Sequence, residues 1–251
     1  LGRAGIPAVF MGETGRDEVG RRIAAFLRSN HVNADYLRMR DDIQSAVSLA
    51  FLDERHDAHY MFYKQPPRTL PGFAPPAVEA DDVVQFGSYY VLNPHIRPQI
   101  KSFLEHARER QAILYYDVNF RRAHAADDFE VMYGLRDPEE IYHRHIAPYC
   151  PLFICTQGGD GIMLCTPQET LRFDVPQVQT VSTIGAGDNF NAGLIYGLIR
   201  HGIRRADLPT LSPRQWETLI DCGRRFSANV CASIHNSIDE EFGREMAEEL
   251  R

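Results

Sequence analysis

Apolar positions along this chain change period several times, and each change predicts an element. Residues 6–11 form a short apolar run, which predicts a buried strand. Residues 17–30 carry Val19, Ile23, Phe26 and Leu27 at helical spacing and predict an amphipathic helix. Residues 45–52 and 58–63, rich in Val, Leu and aromatics, are joined by a polar link at 53–57 and predict a hairpin. The prolines at 66, 67, 71, 75 and 76 make the next stretch an extended connector. From there strands and helices alternate. Strands are expected at 83–86, 112–117, 152–156, 162–165 and 170–173. Helices are expected at 98–110, 137–146, 187–201 and 214–233, with a last one running to the C-terminus. Short apolar strands alternating with helices imply an α/β fold with a mostly parallel sheet covered on both faces. The early hairpin stands outside that alternation, as a lid would.

Composition narrows this picture. A chain of 251 residues, 44% of them hydrophobic, can bury one large α/β core. The formal charge of −7 gives no electrostatic reason to expect nucleic acid or an anionic membrane as partner. No apolar run reaches the length of about 18 residues that a membrane span needs. Only Lys64 and Lys101 are lysines, so a mechanism built on a phosphate-binding lysine has little to draw on. The five cysteines form no C-x-x-C pair and read as buried thiols of a reducing compartment, the cytoplasm. No H-E-x-x-H occurs, and no metal-ligand set is expected. The opening residues 1–5 lack Met and read as the end of a helix, so an upstream portion is expected.

The strongest chemical signal is Ser182-Thr183-Ile184-Gly185-Ala186-Gly187-Asp188-Asn189-Phe190, at a loop-to-helix junction. Gly185, Ala186 and Gly187 leave backbone N–H groups uncovered. The helix that follows adds unpaired amides and a positive dipole end, a site suited to an anion such as a phosphoryl group in transfer. Asp188 lies in the first turn of that helix, where its anion is favoured. It is placed to accept a proton from an attacking hydroxyl.

Gly185-Ala186-Gly187-Asp188 followed by x-Phe190-x-Ala192-Gly193 resembles the second signature of the PfkB, or ribokinase-like, carbohydrate kinases, with fructokinase-like members the most similar. Three further stretches resemble the family in order: Gly12-x-x-Gly15-x-Asp17-x-x-Gly20, Asp117-x-Asn119-x-Arg121, and the Thr156-x-Gly158-x-x-Gly161 turn. The resemblance implies a single three-layer α/β/α kinase domain over 1–251, with a lid hairpin at 35–64. It makes Asp188 the catalytic base and Gly185, Ala186 and Gly187 the anion hole. Thr156, Gly158 and Gly161 would line the nucleotide site, and Asn119 and Arg121 would meet phosphate or sugar. A surface salt bridge is the alternative for Arg121. ATP and Mg2+ are the implied co-reactants.

Departures from the family pattern carry information. The strand and Gly-Gly segment that grip the sugar in the family do not precede Leu1. After Asp117-x-Asn119-x-Arg121 the chain is short near residues 126–127, by roughly two dozen residues, the length of a crossover plus a strand. Ser182 and Ile184 stand where an acidic and a hydroxyl residue help bind a monovalent cation, so potassium activation is not expected. A fructose-like ketose is the first substrate reading. Ribose, 2-keto-3-deoxygluconate and a nucleoside such as adenosine are the others. Tyr60, Phe62, Tyr63, Tyr89 and Tyr90 are stacking candidates for a nucleoside, with lid and core packing as the alternative. A non-catalytic sugar and nucleotide sensor is the reading of another class. Absence of G-x-x-x-x-G-K-[ST], H-R-D and D-F-G excludes P-loop and protein-kinase mechanisms. The lid strands offer an edge through which a second copy could pair.

Overall fold

The computed structural model describes residues 1–52, 58–63, 74–87, 91, 93–118, 132–176 and 178–251. In chain order its strands are β1 (Ala8–Val9), β2 (Gly12–Gly15), β3 (Val32–Asn33), β4 (Leu37–Arg40), β5 (Val47–Leu52), β6 (Ala58–Tyr63), β7 (Val83–Gly87), β8 (Ile113–Asp117), β9 (Phe153–Thr156), β10 (Ile162–Cys165) and β11 (Thr170–Phe173). Its helices are α1 (Glu18–Ser29), α2 (Arg97–Glu109), α3 (Pro138–Ile141), α4 (Ala186–Arg200), α5 (Pro213–Cys231) and α6 (Glu240–Glu249). They fall into two compact units. The first is Leu1–Phe120 with Glu240–Arg251, and the second is Arg121–Asp239.

In the first unit, parallel ladders are joined through helices. β2 pairs with β4 in the register Gly12↔Leu37 to Gly15↔Arg40, with α1 as the crossover. β1 pairs with β3 just before it. β7 and β8 pair in parallel around α2. Asp17 caps α1 from an extended backbone conformation, its side chain accepting from Gly20 N–H. The apolar stripe of α1 brings Ala24, Ile23 and Leu27 against Ala34, Leu37 and Met39. Phe103 and Ala107 of α2 pack on Val78 and Ala112. β5 and β6 form the antiparallel hairpin, Val47 opposite Tyr63 and Leu52 opposite Ala58. Helix α6 closes this unit by packing Gly243 on Arg3 and Ala247 on Gly5.

Two polar networks tie the first unit together. Arg40 donates to Glu13 at 3.1 Å, both side chains over nine-tenths buried, and to Asp42 at 2.5 Å. A buried arginine needs such partners, because an unpaired charge would cost several kcal/mol. Asp17 accepts from the Ser45 hydroxyl at 2.6 Å, from Ser45 N–H at 2.8 Å and from Gly20 N–H at 2.9 Å. Thr14 Oγ1 lies 2.7 Å from Ser45 Oγ, which accepts from Gly15 N–H. One carboxylate thus caps a helix and fixes the chain two residues before β5.

In the second unit, β9, β10 and β11 form an antiparallel meander, with Tyr142, Cys155, Met163 and Cys165 in its core. Burial pushes the Cys155 thiol up to about 11, with Cys165 adding to the shift, so it packs as a neutral group. Helix α5 begins with a reciprocal cap between Ser212 and Gln215, and Pro213 is its first residue. Its buried face carries Trp216, Leu219, Ile220, Phe226 and Val230.

Parallel neighbours occur in the first unit as the strand–helix alternation predicts. In the second unit the connections 157–161 and 166–169 are too short for a crossover, so the strands return antiparallel. Residues 6–11 were expected as one buried strand. Instead Ile6 is buried, Ala8–Val9 alone is strand, and Val9 and Phe10 are exposed, because the ladder there is two strands wide. The helix expected at 137–146 changes to a π turn over Tyr142–Ile146.

The Ser45 hydroxyl, then Gly20 N–H and Ser45 N–H, hold the Asp17 carboxyl from its ordinary 3.8 down to about 2. A depressed carboxyl stabilises the fold above its ordinary pKa, and that share is lost as pH falls through the folded value. Asp17→Asn is therefore expected to lower Tm at pH 7, with the gap to the native protein closing between about pH 4 and 2. A gap that stays constant over that range in thermal melts would reject this role.

Candidate active site

Helix α4 starts at a glycine that no other residue replaces easily. Gly185 caps it with φ +80°, and a Cβ there would lie 2.9 Å from the Asn236 carbonyl oxygen. Ala186 N–H donates to Thr183 O at 3.1 Å, and Asn189 N–H donates to Gly185 O at 2.9 Å as the first helical bond. The N–H groups of Gly185 and Gly187 donate to no acceptor among the described residues. A Cβ built on Gly187 meets nothing within 4 Å, so the space over this turn is open. Asp188 is exposed at the third helical position beside it. Gly185 itself is buried, so the open part of this turn is at Gly187, and a first-turn amide with open space above it can bind an anion.

The residues before the turn are held from α5. Val181 N–H and Ser182 N–H both donate to Cys231 O, at 2.8 and 3.3 Å. Ser182 is buried, and its hydroxyl accepts from Ile184 N–H at 3.2 Å. Below the turn, Phe190 packs on Gly223, and Gly193 meets the Cys222 carbonyl with no room for a side chain. The rings of Tyr196 and Phe226 meet at a tilt of 41°, with centroids 5.3 Å apart. The start of α4 is therefore set by α5 along its length.

The Thr156–Gly161 turn joins β9 to β10 in the same unit. Gln157 N–H donates to Gly161 O, and Gly158–Asp160 is one 3-10 turn. Thr156 and Gly158 are exposed. Gly161 is buried at φ +119°, where a Cβ would lie 2.9 Å from Phe173 O. Of the other candidates, Asn119 and Arg121 lie outside the described residues, as do Tyr89 and Tyr90. Asp117 ends β8 opposite Gly87. Sequence reasoning missed Asn236 and the side chain of Asn189, which meet at the turn across 47 positions of chain. No local pattern signals such a pair.

The pfkB family carbohydrate kinase model matches residues 1–135 and 124–234. The chain belongs to the pfkB family of carbohydrate kinases. Members of this family are phosphotransferases acting on sugar hydroxyls. The chain is 24% identical over 234 residues to 5-dehydro-2-deoxygluconokinase 1 of Bacillus cereus, covering 79% of this chain and 70% of that protein. Among solved structures, aminoimidazole riboside kinase of Salmonella enterica, complexed with its riboside and an ATP analog, superposes with TM-score 0.76 at 19% identity. That match covers 100% of this chain and 88% of the other. Fructokinase of Vibrio cholerae, bound to fructose, ADP and calcium, gives 0.79 at 17% identity over 94% and 82%. This pfkB kinase therefore has the ribokinase-like α/β fold that the family resemblance implies.

Gly185→Ala would force an alanine into the left-handed region and against Asn236 O, a cost of about 1–3 kcal/mol. At about 2–4 °C per kcal/mol for a chain of this size, the expected fall in Tm is roughly 2–12 °C, while Gly187→Ala, opening into free space, shifts it by less than about 2 °C. Equal melting temperatures for the two variants would contradict the cap geometry.

Proposed function

We propose that this pfkB kinase transfers the terminal phosphate of ATP to a hydroxyl of a ketose, fructose first, with Asp188 as general base. The observation that carries this reading is the start of α4, where the N–H of exposed Gly187 faces open space beside the exposed Asp188 carboxylate, and the N–H of buried Gly185 is left without an acceptor among the described residues in the same turn. The donors of Gly185 and Gly187 would face the phosphoryl oxygens as charge grows on them. Ala186 N–H is committed to Thr183 and would contribute its small size. Asp188 would take the proton of the attacking hydroxyl, and the Thr156–Gly161 turn would admit the nucleotide beside exposed backbone.

The turn fits a magnesium triphosphate in its donor chemistry, since uncovered amides suit phosphate oxygens. Mg2+ would be held by those oxygens and water and would supply charge neutralisation during transfer. Ser182 is buried, uncharged and bonded to Ile184 N–H, which supports turnover without potassium. Relatives that phosphorylate a riboside or a deoxygluconate keep ribose, 2-keto-3-deoxygluconate and adenosine as alternatives. We place the kinase in the cytoplasm, where its five free thiols stay reduced. No helix of the described residues is long and apolar enough to cross a membrane.

An ADP-release assay with Mg-ATP tests this on fructose, ribose, 2-keto-3-deoxygluconate and adenosine, with and without potassium. One sugar is expected to turn over at a potassium-independent rate. Asp188→Asn is expected to bind ATP and lose several orders of magnitude in kcat, about the contribution of a general base with its field. A near-native rate for Asp188→Asn would remove Asp188 from this role, and ATP binding without turnover on any acceptor would favour a sensor.

We also propose that a second copy covers the hairpin. Val47, Leu49, Phe51, Met61 and Tyr63 share one face of β5–β6 and are each 37–57% exposed. A two-stranded ribbon cannot bury such a face by itself. Sedimentation is expected to give a dimer, and Leu49→Glu with Met61→Glu a monomer. A native monomer at assay concentrations would end this proposal.

A further inference from the structure

Asn189 lies one residue beyond the proposed base and makes contacts that no helix requires. Its Nδ2 donates to Gly185 O at 2.8 Å and to Asn236 O at 3.0 Å. Both acceptors are backbone carbonyls, so the end of the side-chain amide that faces them is its nitrogen. One NH2 group thus joins the turn that opens α4 to the turn that follows α5.

The second turn is itself well tied. Ser233 Oγ accepts from His235 N–H at 3.1 Å. Asn229 donates to Asp239 at 2.6 Å and accepts from Asp239 N–H at 3.0 Å, closing the loop on the last turn of α5. Gly185 and Asn236 O come so close that a Cβ would not fit between them. Two carbonyl dipoles pointing at one place repel unless a donor lies between them.

We propose that Asn189 is a positioning residue of the phosphoryl-transfer site. Its amide neutralises the facing carbonyls of Gly185 and Asn236 and holds the amides of Gly185 and Gly187 in the direction a transferring phosphoryl group needs. The inference rests on the reading of Gly185–Asp188 as the anion turn. Preorganised donors act on the transition state more than on bound substrate, so the effect falls on kcat. Asn189 touches no substrate in this role.

Two measurements test it on the full chain. Amide hydrogen exchange on the free protein reads the brace itself. In Asn189→Ala, peptides covering 182–187 and 233–237 are expected to exchange several-fold faster together, with Tm within about 2 °C of native, since alanine suits a first helical turn. Faster exchange in only one segment, or in neither, overturns the brace. Kinetics with the panel sugar that supports turnover reads its consequence. Asn189→Ala is expected to lose about tenfold in kcat, the worth of one or two hydrogen bonds, with both KM values within a factor of two. Asn189→Asp, which sets a carboxylate against two carbonyl oxygens, loses more. A native kcat in Asn189→Ala, or a loss confined to KM, overturns the positioning role. Asp188→Asn measured beside it separates the failures. If Asp188→Asn is inactive and Asn189→Ala is fully active, only this inference falls. If Asp188→Asn is also active, the reading of the turn falls first.

Discussion

Helices α4 and α5 approach each other closely at two glycines, and the geometry of the candidate site depends on that approach. Gly193 lies against the Cys222 carbonyl and Gly223 against the Phe190 ring, so the two axes are held closer than alanines would permit. Around these points Tyr196, Leu219, Ile220 and Phe226 are almost wholly buried. Close packing of this kind resists small displacements, because a gap of half an ångström already forfeits much of the dispersion attraction. The first turn of α4 takes its position from this seam. Val181 and Ser182 are bonded to the last residue of α5, and Asn236 follows a few positions later.

With only two lysines in the chain, the proposed site would hold a phosphoryl group chiefly through backbone amides. Backbone amides at a helix start carry partial positive charge in fixed directions and need no side-chain ordering when a ligand arrives. Their weakness is that direction depends on the turn itself. Gly185 sits in a left-handed conformation that glycine adopts freely, and its carbonyl and that of Asn236 both accept from Asn189, which joins the turn to its neighbour. The polar contacts around residues 182–189 and 229–239 are consistent with that need.

Much of this was legible in the sequence, and the exceptions have a physical pattern. Helix α1 and the hairpin followed from periodicity, with boundaries within two residues, because one face of α1 is buried and the hairpin is a local pairing. Strands β3 and β4 were not legible. Val32–Asn33 is too short to show alternation, and Leu37–Arg40 alternates with arginines, one of which is buried by Glu13 and Asp42. Burial of that arginine is a tertiary fact. The glycine turn was legible, since its backbone demands specific residue types within nine positions. The partners of that turn were not, because Asn236 and Cys231 reach it from far along the chain. The Asp17–Ser45 bond was hidden for the same reason, though Asp17 itself stood in a visible motif.

Helix α6 has a consequence for how the protein is made. It completes the first unit by packing on Gly5 and Arg3, across almost the whole chain, while the second unit is continuous in sequence. Closing so long a loop costs more entropy than local pairing does, and the contact forms only after both partners exist. On the ribosome, the residues that carry Gly185 and Asp188 are therefore all available to fold before the first unit can be sealed. Until α6 emerges, the faces of Arg3 and Gly5 that it covers lack their partner, and such transiently uncovered surface is what chaperones and proteases recognise.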